Sequence, residues 1–248
     1  MRVMVIGGGG REHAICWKLR QDDPGLELFC APGNPGIGTL ADRVDIAPEE
    51  VQSLADFATE LKLDLTIVGP ELPLSLGIVD EFHKRDLSIF GPRRSAAQLE
   101  SSKVFAKEFM LRHGIPTAAS ETAYDEDEAR AAAKKMGLPL VFKADGLAAG
   151  KGVLMVHDRE DLERALAVFF DERRFGASGD RVLIEPFLEG EEVSFMGLSD
   201  GQRILPLATA KDYKRNGNDD TGPNTGGKGS HTPAGVSGAS SAREIHEG

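Results

Sequence analysis

Strands and helices alternate through the first ninety residues, and this alternation limits the possible folds more than any other feature. Short apolar runs at residues 2–6, 26–30, 63–68 and 87–90 predict buried strands. Segments with helical spacing lie between them, such as residues 51–61. Strands that alternate with helices favour a parallel sheet with helices on both faces.

A second α/β unit is predicted beyond a boundary near residue 100. One helix is expected over residues 95–114 and another over 126–137, closed by Gly137. A third helix should begin after Asp158, which is a good N-cap residue. Strands are expected within residues 138–144, 152–156, 181–198 and 203–210. From Lys211 onward the sequence looks like a loop.

Charge and cysteine content exclude several classes of protein. The 29 basic and 40 acidic residues give a net charge of −11, which disfavours binding to nucleic acid through phosphates. No apolar run approaches the roughly 20 residues that span a bilayer. Cys16 and Cys30 lie in apolar surroundings, so we interpret them as core residues of a cytoplasmic protein.

A glycine-rich turn, GGGGREHA, follows the first predicted strand. Such a turn leaves N–H groups free at the positive end of a helix, which favours an anion. A dinucleotide fingerprint would need glycine in place of Glu12 and an acid after the second strand, where FCAPGN has none. We favour a sugar phosphate here, with a plain strand–helix turn as the alternative. The candidate ligands are Gly8, Gly9, Gly10 and Arg11.

Two further turns, APGNPG and GPELPL, follow the second and third strands. Ligands of open parallel sheets bind beyond the carboxyl ends of the strands. All three turns should therefore face one crevice, with Asn34 and Glu71 as candidate substrate-binding side chains. Each of these two residues, taken alone, also fits a purely structural turn.

The loop KADGLAAGKGV contains glycines and lysines but does not match a P-loop. Gly146 and Gly150 have three residues between them, and Gly152 stands where a P-loop has a hydroxyl. A glycine hairpin with Lys143 and Lys151 can cover nucleotide phosphates with its amides and neutralise their charge. A flexible hairpin with solvated lysines is the alternative.

An acidic bend, IEPFLEGEEVSF, follows some forty residues later. Backbone groups near Glu185 to Leu188 can contact adenine, and Glu192 can reach ribose hydroxyls. Paired with the glycine loop, the bend predicts a nucleotide site.

The glycine loop and this bend resemble those of the ATP-grasp superfamily. Together with GGGGREHA, APGNPG, VGPELPL, HGIPTA and KRNGNDDTGPNTGGKG, they resemble the phosphoribosylamine–glycine ligase family. The fold this implies is α/β: an N-terminal parallel-sheet, Rossmann-like domain followed by a partial ATP-grasp fold. The expected divisions are a substrate-binding domain (1–100), a connection that begins the core (101–121), a nucleotide-binding subdomain (122–190) and the start of the central core (191–248).

The resemblance also implies a reaction and residue roles. ATP would phosphorylate glycine, and the amine of 5-phosphoribosylamine would attack the glycyl phosphate to give glycinamide ribonucleotide, ADP and phosphate. The catalytic candidates are Lys143, Asp212, Lys214 and Arg215. The ATP candidates are Lys103, Lys143, Gly146, Gly150, Lys151, Gly152, Glu185, Phe187, Leu188 and Glu192. The glycine and acyl-phosphate candidates are Asp220, Thr221, Gly222, Asn224, Thr225 and Gly226.

The sequence departs from the family pattern at two points. Lys228 replaces the methionine of TGGMG. Family members also carry a segment like EFNCRFGDPE, whose glutamate and asparagine bind magnesium (or manganese), and it is not found in these 248 residues. No metal ligand is assigned, and we expect the 248 residues alone to bind nucleotide weakly and not to turn over. The alternatives are another ATP-grasp carboxylate–amine ligase, a non-catalytic ATP-binding fragment, and a dinucleotide oxidoreductase.

Overall fold

The computed structural model describes residues 1–148, 151–218, 222 and 224–235 of the chain. For Arg215, Asn224 and Gly226 it describes the backbone alone. The chain divides between Ala106 and Lys107 into two compact units. This division falls inside the connection expected over residues 101–121.

The first unit is built on a five-stranded parallel sheet, which confirms the fold predicted from the alternation. The strand order is β3-β2-β1-β4-β5, and every neighbouring pair is parallel. The strands are β1 (Arg2–Gly7), β2 (Glu27–Pro32), β3 (Asp42–Arg43), β4 (Leu65–Val68) and β5 (Ile89–Phe90).

Helices cover both faces of this sheet. The helices of this unit are α1 (Gly10–Asp22), α2 (Val51–Glu60), α3 (Glu71–Ser75), α4 (Ile78–Lys84) and α5 (Arg94–Ser101). Val3 and Val5 of β1 pack in one core cluster with Cys16 of α1, whereas Met4 and Ile6 pack in another with α2 and α4. This alternation follows from the two-residue period of a strand.

Two elements before residue 115 differ from the prediction. The helix expected over residues 95–114 is interrupted at Ser102, which is extended (φ −138°, ψ 113°) and separates α5 from α6 (Lys103–Arg112). The Ser102 hydroxyl accepts a hydrogen bond from the Phe105 amide at 3.1 Å. Serine competes with the helical backbone in this way, so it starts a new helix instead of continuing the old one. The turn GPELPL also contains the short helix α3.

The second unit contains a four-stranded sheet of order β6-β9-β7-β8 with only antiparallel pairs. Its strands are β6 (Glu121–Ala123), β7 (Leu140–Ala144), β8 (Val153–Val156) and β9 (Val182–Pro186). Helices α7 (Glu126–Met136) and α8 (Arg159–Leu166) pack against one face. The Asp158 carboxylate accepts the Asp161 amide at 2.9 Å, which confirms the predicted N-cap, and Gly137 ends α7 as expected.

The segment from Lys211 onward is not a loop, so that prediction was wrong. Strands β12 (Lys211–Arg215) and β13 (Asn224–His231) form an antiparallel hairpin. The many glycine and asparagine residues favour a loop locally, but cross-strand hydrogen bonds are non-local and override that preference. A second hairpin joins β10 (Gly197–Ser199) to β11 (Ile204–Pro206), shorter than the strands predicted there. Across the described residues, no helix has the length and apolar character needed to cross a bilayer.

Candidate functional site

The three loops at the carboxyl ends of β1, β2 and β4 lie at one edge of the first sheet. The Gly33 amide donates to the Gly7 carbonyl at 3.1 Å, and the Gly69 amide donates to the Ile6 carbonyl at 3.0 Å. A Cβ atom on Gly8 would lie 2.7 Å from the carbonyl oxygen of Gly33. This contact explains why glycine is needed at position 8, and it places the loops beside one another as the sequence indicated.

Glu12 occupies the centre of this edge, a role that the motif analysis missed. Its buried carboxylate accepts the Gly9 amide at 2.6 Å and the Arg11 guanidinium at 3.0 Å. A Cβ atom on Gly7 or Gly69 would lie 2.7 or 2.5 Å from the Glu12 Cγ. A glutamate at the third position of a helix was a readable capping signal. The same side chain fills space that a dinucleotide fold leaves to glycine.

Arg11, Asn34 and Glu71 have partners within this edge. Arg11 donates to Glu71 at 3.2 Å. Burial opposes the charge of Arg11, but the hydrogen bonds to Glu12 and Glu71 outweigh it and raise the guanidinium pKa. The Asn34 side chain donates to the Gly8 carbonyl and accepts the Ile37 amide, both at 2.9 Å, so it shapes its own turn. The first-turn amides of Gly10 and Arg11 have no carbonyl four residues back within the helix, as at any helix start.

The glycine-rich loop connects β7 to β8 and is anchored at its base. The Ala144 amide donates to the Gly152 carbonyl at 2.7 Å, and the buried Asp145 carboxylate pairs with Arg181 at 2.5 Å. A Cβ atom on Gly146 would lie 2.8 Å from the Ser178 Cβ, and one on Gly152 would lie 2.7 Å from the Ala148 Cβ. Both positions therefore require glycine. Lys151 is exposed, and Gly150 lies outside the described residues.

A buried carboxylate lies between two lysines beside this loop. Glu185 pairs through Oε1 with Lys107 and through Oε2 with Lys143. Lys143 and Glu185 are diagonal neighbours across β7 and β9, where Val141 pairs with Glu185 and Lys143 with Leu183. Their side chains therefore share the sheet face opposite the core residues Phe142 and Ile184.

The charge of Glu185 depends on these two lysines. Burial acts to raise the pKa of Glu185, but the hydrogen bonds from Lys107 and Lys143 outweigh it and hold the pKa below its usual value. Lys107 was missed by motif analysis. The available signal was its spacing of three residues from the apolar Val104, which places both residues on one face of α6. Both residues are buried. Lys103 is the first residue of α6.

The acidic bend follows the end of β9 and has a backbone amide without an acceptor among the described residues. The Phe187 amide donates to the Pro139 carbonyl at 3.1 Å. The Phe187 and His157 rings lie edge-on, with their centroids 6.2 Å apart. Leu188 is 68% exposed, and its amide donates to no acceptor within the described part of the chain. Glu192 is also exposed and pairs with Lys214 at 3.0 Å. The bend and strand β12 are thus in direct contact.

The hairpin β12–β13 carries several of the predicted substrate residues. Asp212 accepts the Ser194 hydroxyl at 3.2 Å, and the Thr225 hydroxyl donates to the Lys214 carbonyl at 2.8 Å. Gly222 has a positive φ of 82°. Lys228 is exposed on β13, so the strand accepts a lysine there without burying its charge. Asp220 and Thr221 lie outside the described residues, and Arg215, Asn224 and Gly226 are described by backbone alone.

A parallel α/β domain, followed by an antiparallel sheet whose glycine loop has a lysine at its base, defines an ATP-grasp protein. Comparison with sequence families matches residues 1–100 to the N domain of phosphoribosylglycinamide synthetase and residues 101–248 to its ATP-grasp (A) domain. The chain belongs to the phosphoribosylglycinamide synthetase family, which confirms the resemblance read from the motifs.

Individual relatives support this assignment. The chain is 50% identical over 238 residues to a phosphoribosylamine–glycine ligase of Vibrio vulnificus (strain YJ016), covering 95% of this chain and 56% of that protein. The crystal structure of phosphoribosylamine–glycine ligase from Thermotoga maritima matches 100% of this chain and 59% of its own, with a TM-score of 0.82 and 34% identity. An N5-carboxyaminoimidazole synthetase from Staphylococcus aureus, complexed with ADP, shares the fold at 14% identity and a TM-score of 0.74, covering 99% of this chain and 61% of its own. The chain spans a little over half the length of these relatives.

Proposed function

We propose that this chain takes part in the ATP-dependent ligation of glycine to 5-phosphoribosylamine. The glycine carboxylate attacks the γ-phosphorus of ATP, and the bond from that phosphorus to the ADP oxygen breaks. The amine of phosphoribosylamine then attacks the carbonyl carbon of glycyl phosphate. Phosphate leaves and the amine loses a proton, giving glycinamide ribonucleotide. The observation that carries this proposal is the cluster of Lys143 and Lys107 around Glu185 at the base of the glycine loop.

ATP fits the described residues of the second unit. Gly146 and Gly152 lie where side chains have no room, and a loop without side chains at such positions lets backbone amides approach phosphate oxygens. Lys143 and Lys151 supply positive charge, and the motif alone assigns Lys103 the same role. The Leu188 amide, which has no acceptor within the described part of the chain, and the carboxylate of Glu192 suit adenine and ribose.

The hairpin residues are proposed to hold glycine and its acyl phosphate. Asp212 and Lys214 offer opposite charges two residues apart on β12, as an amino acid and a phosphate require. We assign the same task to Arg215, Gly222 and Thr225, and to Asp220, Thr221, Asn224 and Gly226 from the motif alone. At the edge of the first unit, the amides of Gly10 and Arg11 and the Arg11 guanidinium are proposed to bind the phosphate of phosphoribosylamine, while Gly8, Gly9, Asn34 and Glu71 shape that edge.

Magnesium or manganese is expected from the family. No group of three or more histidine, cysteine or acidic side chains that could hold a metal occurs among the described residues. We therefore assign the ion no ligand and no step. The two buried free thiols, Cys16 and Cys30, suit a reducing cytoplasm.

A direct assay tests the proposed function. When the metal-binding segment of a relative is supplied, incubation with ATP, glycine and phosphoribosylamine should release ADP only when both other substrates are present. ADP release that follows a different carboxylate would favour another ATP-grasp carboxylate–amine ligase. ATP binding without any carboxylate-dependent ADP release would favour a binding role alone.

Arg11→Ala should weaken the binding of ribose 5-phosphate by about tenfold, because a charge-assisted phosphate contact is lost. ATP affinity should stay unchanged. Arg2→Ala is the matched control, since Arg2 pairs with Glu27 at the opposite end of β1. A crystal soaked with ribose 5-phosphate that showed the sugar phosphate bound elsewhere would contradict the assignment.

Glu192→Gln should weaken ATP binding by about tenfold. The binding of inorganic triphosphate, which has no ribose, should stay largely unchanged. The reason is that the carboxylate is a stronger acceptor for ribose hydroxyls than the amide. Calorimetry with both ligands measures the difference. Glu191→Gln, next in sequence and facing Lys211, is the control. Equal losses for the two ligands would remove Glu192 from the ribose site.

A further inference from the structure

The two lysines that flank Glu185 are not equivalent. Lys107 is almost fully buried, with 6% of its side chain exposed. Its ammonium group contacts Glu185, the Thr117 hydroxyl at 2.5 Å and the Ala118 carbonyl at 2.9 Å. An ammonium group has three N–H donors, so Lys107 has none left for a ligand. These contacts also give a structural role to the motif HGIPTA, which contains Thr117 and Ala118.

Lys143 is open to an incoming anion. Its side chain is 31% exposed, and within the described residues its ammonium contacts Glu185 alone. Two of its three donors therefore have no acceptor in the part of the chain that the structure describes. It also lies at the base of the glycine loop, because the next residue, Ala144, bonds to Gly152.

The charge balance of the cluster depends on the buried lysine. Lys143 and Glu185 by themselves form a neutral pair that attracts a phosphate weakly. With Lys107 on the second carboxylate oxygen, the three groups carry a net charge of about +1. Lys107 thus offsets the negative charge of Glu185, the carboxylate that positions Lys143.

We propose that Lys107 is a positioning residue that neutralises Glu185, so that the charge of Lys143 remains available to a nucleotide phosphate. The inference rests on the proposed function, in which Lys143 binds ATP.

The first test is Lys107→Met, measured by calorimetry with ATP and with adenosine. ATP affinity should fall about 10- to 100-fold, the range for losing a charge-assisted contact, while adenosine affinity should stay within about threefold. Lys107→Gln keeps donors for Thr117 and Ala118 without the charge, and it should show the same loss. Equal losses for ATP and adenosine in either variant would mean that Lys107 is only structural.

The second test removes the carboxylate as well. In the double variant K107M/E185Q, Lys143 faces a neutral amide, and the net charge returns to that of the original cluster. ATP affinity should therefore recover to within about threefold of the unmodified protein. A double variant as weak as Lys107→Met would overturn the proposal.

Lys143→Ala separates this inference from the proposed function. If Lys143→Ala leaves ATP affinity unchanged, the assignment of Lys143 to phosphate fails, and the proposed function loses its main support. If Lys143→Ala weakens ATP while Lys107→Met and Lys107→Gln do not, the role given to Lys107 alone is wrong.

Discussion

Replacing Lys143 with alanine should weaken ATP binding by about 10- to 100-fold. The side chain is the partly exposed cation at the base of the glycine loop, and a charge-assisted hydrogen bond contributes about 1.5–3 kcal/mol, where each 1.4 kcal/mol is tenfold. The fold should tolerate the change, because Glu185 keeps its contact with Lys107. Calorimetric titration with ATP measures the effect.

The control for this variant is Lys135→Ala. Lys135 belongs to the same unit, is exposed and pairs with Glu121 at 2.5 Å, and it lies outside the candidate site. Its removal should leave ATP affinity unchanged. An ATP affinity of Lys143→Ala equal to that of the unmodified chain would show that the loop binds phosphate without this lysine, or does not bind it.

Replacing Glu185 with alanine should destabilise the second unit by about 3–5 kcal/mol, because it leaves a buried charge without its partner. The stranded group is Lys107, which keeps two uncharged oxygens as acceptors but loses its counter-ion. Urea denaturation measures the change in the free energy of unfolding. Glu192→Ala is the matched control, because the ion pair it removes is exposed and such pairs contribute little.

The pH dependence gives a second measure of the same interaction. The folded-state pKa of Glu185 is lowered, so its contribution to stability is fully present above the unfolded value of about 4.3. That contribution is lost as the pH falls through the folded-state pKa. The unmodified chain should therefore lose stability faster than Glu185→Ala below about pH 4.3. Parallel stability curves for the two proteins would mean that Glu185 carries no such coupling.

Local patterns in the sequence predicted the elements with strong periodicity. The apolar runs became β1, β2 and β4, and Asp158 and Gly137 marked helix ends as expected. The prediction was wrong where local preference and tertiary contacts disagree. Ser102 divides a helix that periodicity alone would continue, and the glycine-rich segment after Lys211 pairs as a hairpin. Cross-strand hydrogen bonds in such a hairpin leave no periodicity in the sequence.

The sequence by itself determined the strand–helix alternation of the first unit, the glycine positions of both loops and the family. These features are local or lie in contiguous motifs, so they can be recognised in a single sequence. Only the tertiary structure decided that Glu12 fills the space beside Gly7 and Gly69, and that Lys107 pairs with Glu185 beside Lys143. A buried charge is stable only beside its partner, and the partner of Lys107 lies on β9, far along the chain. Such a pair forms when helix and sheet pack together, so neither residue's own neighbourhood in the sequence reveals it.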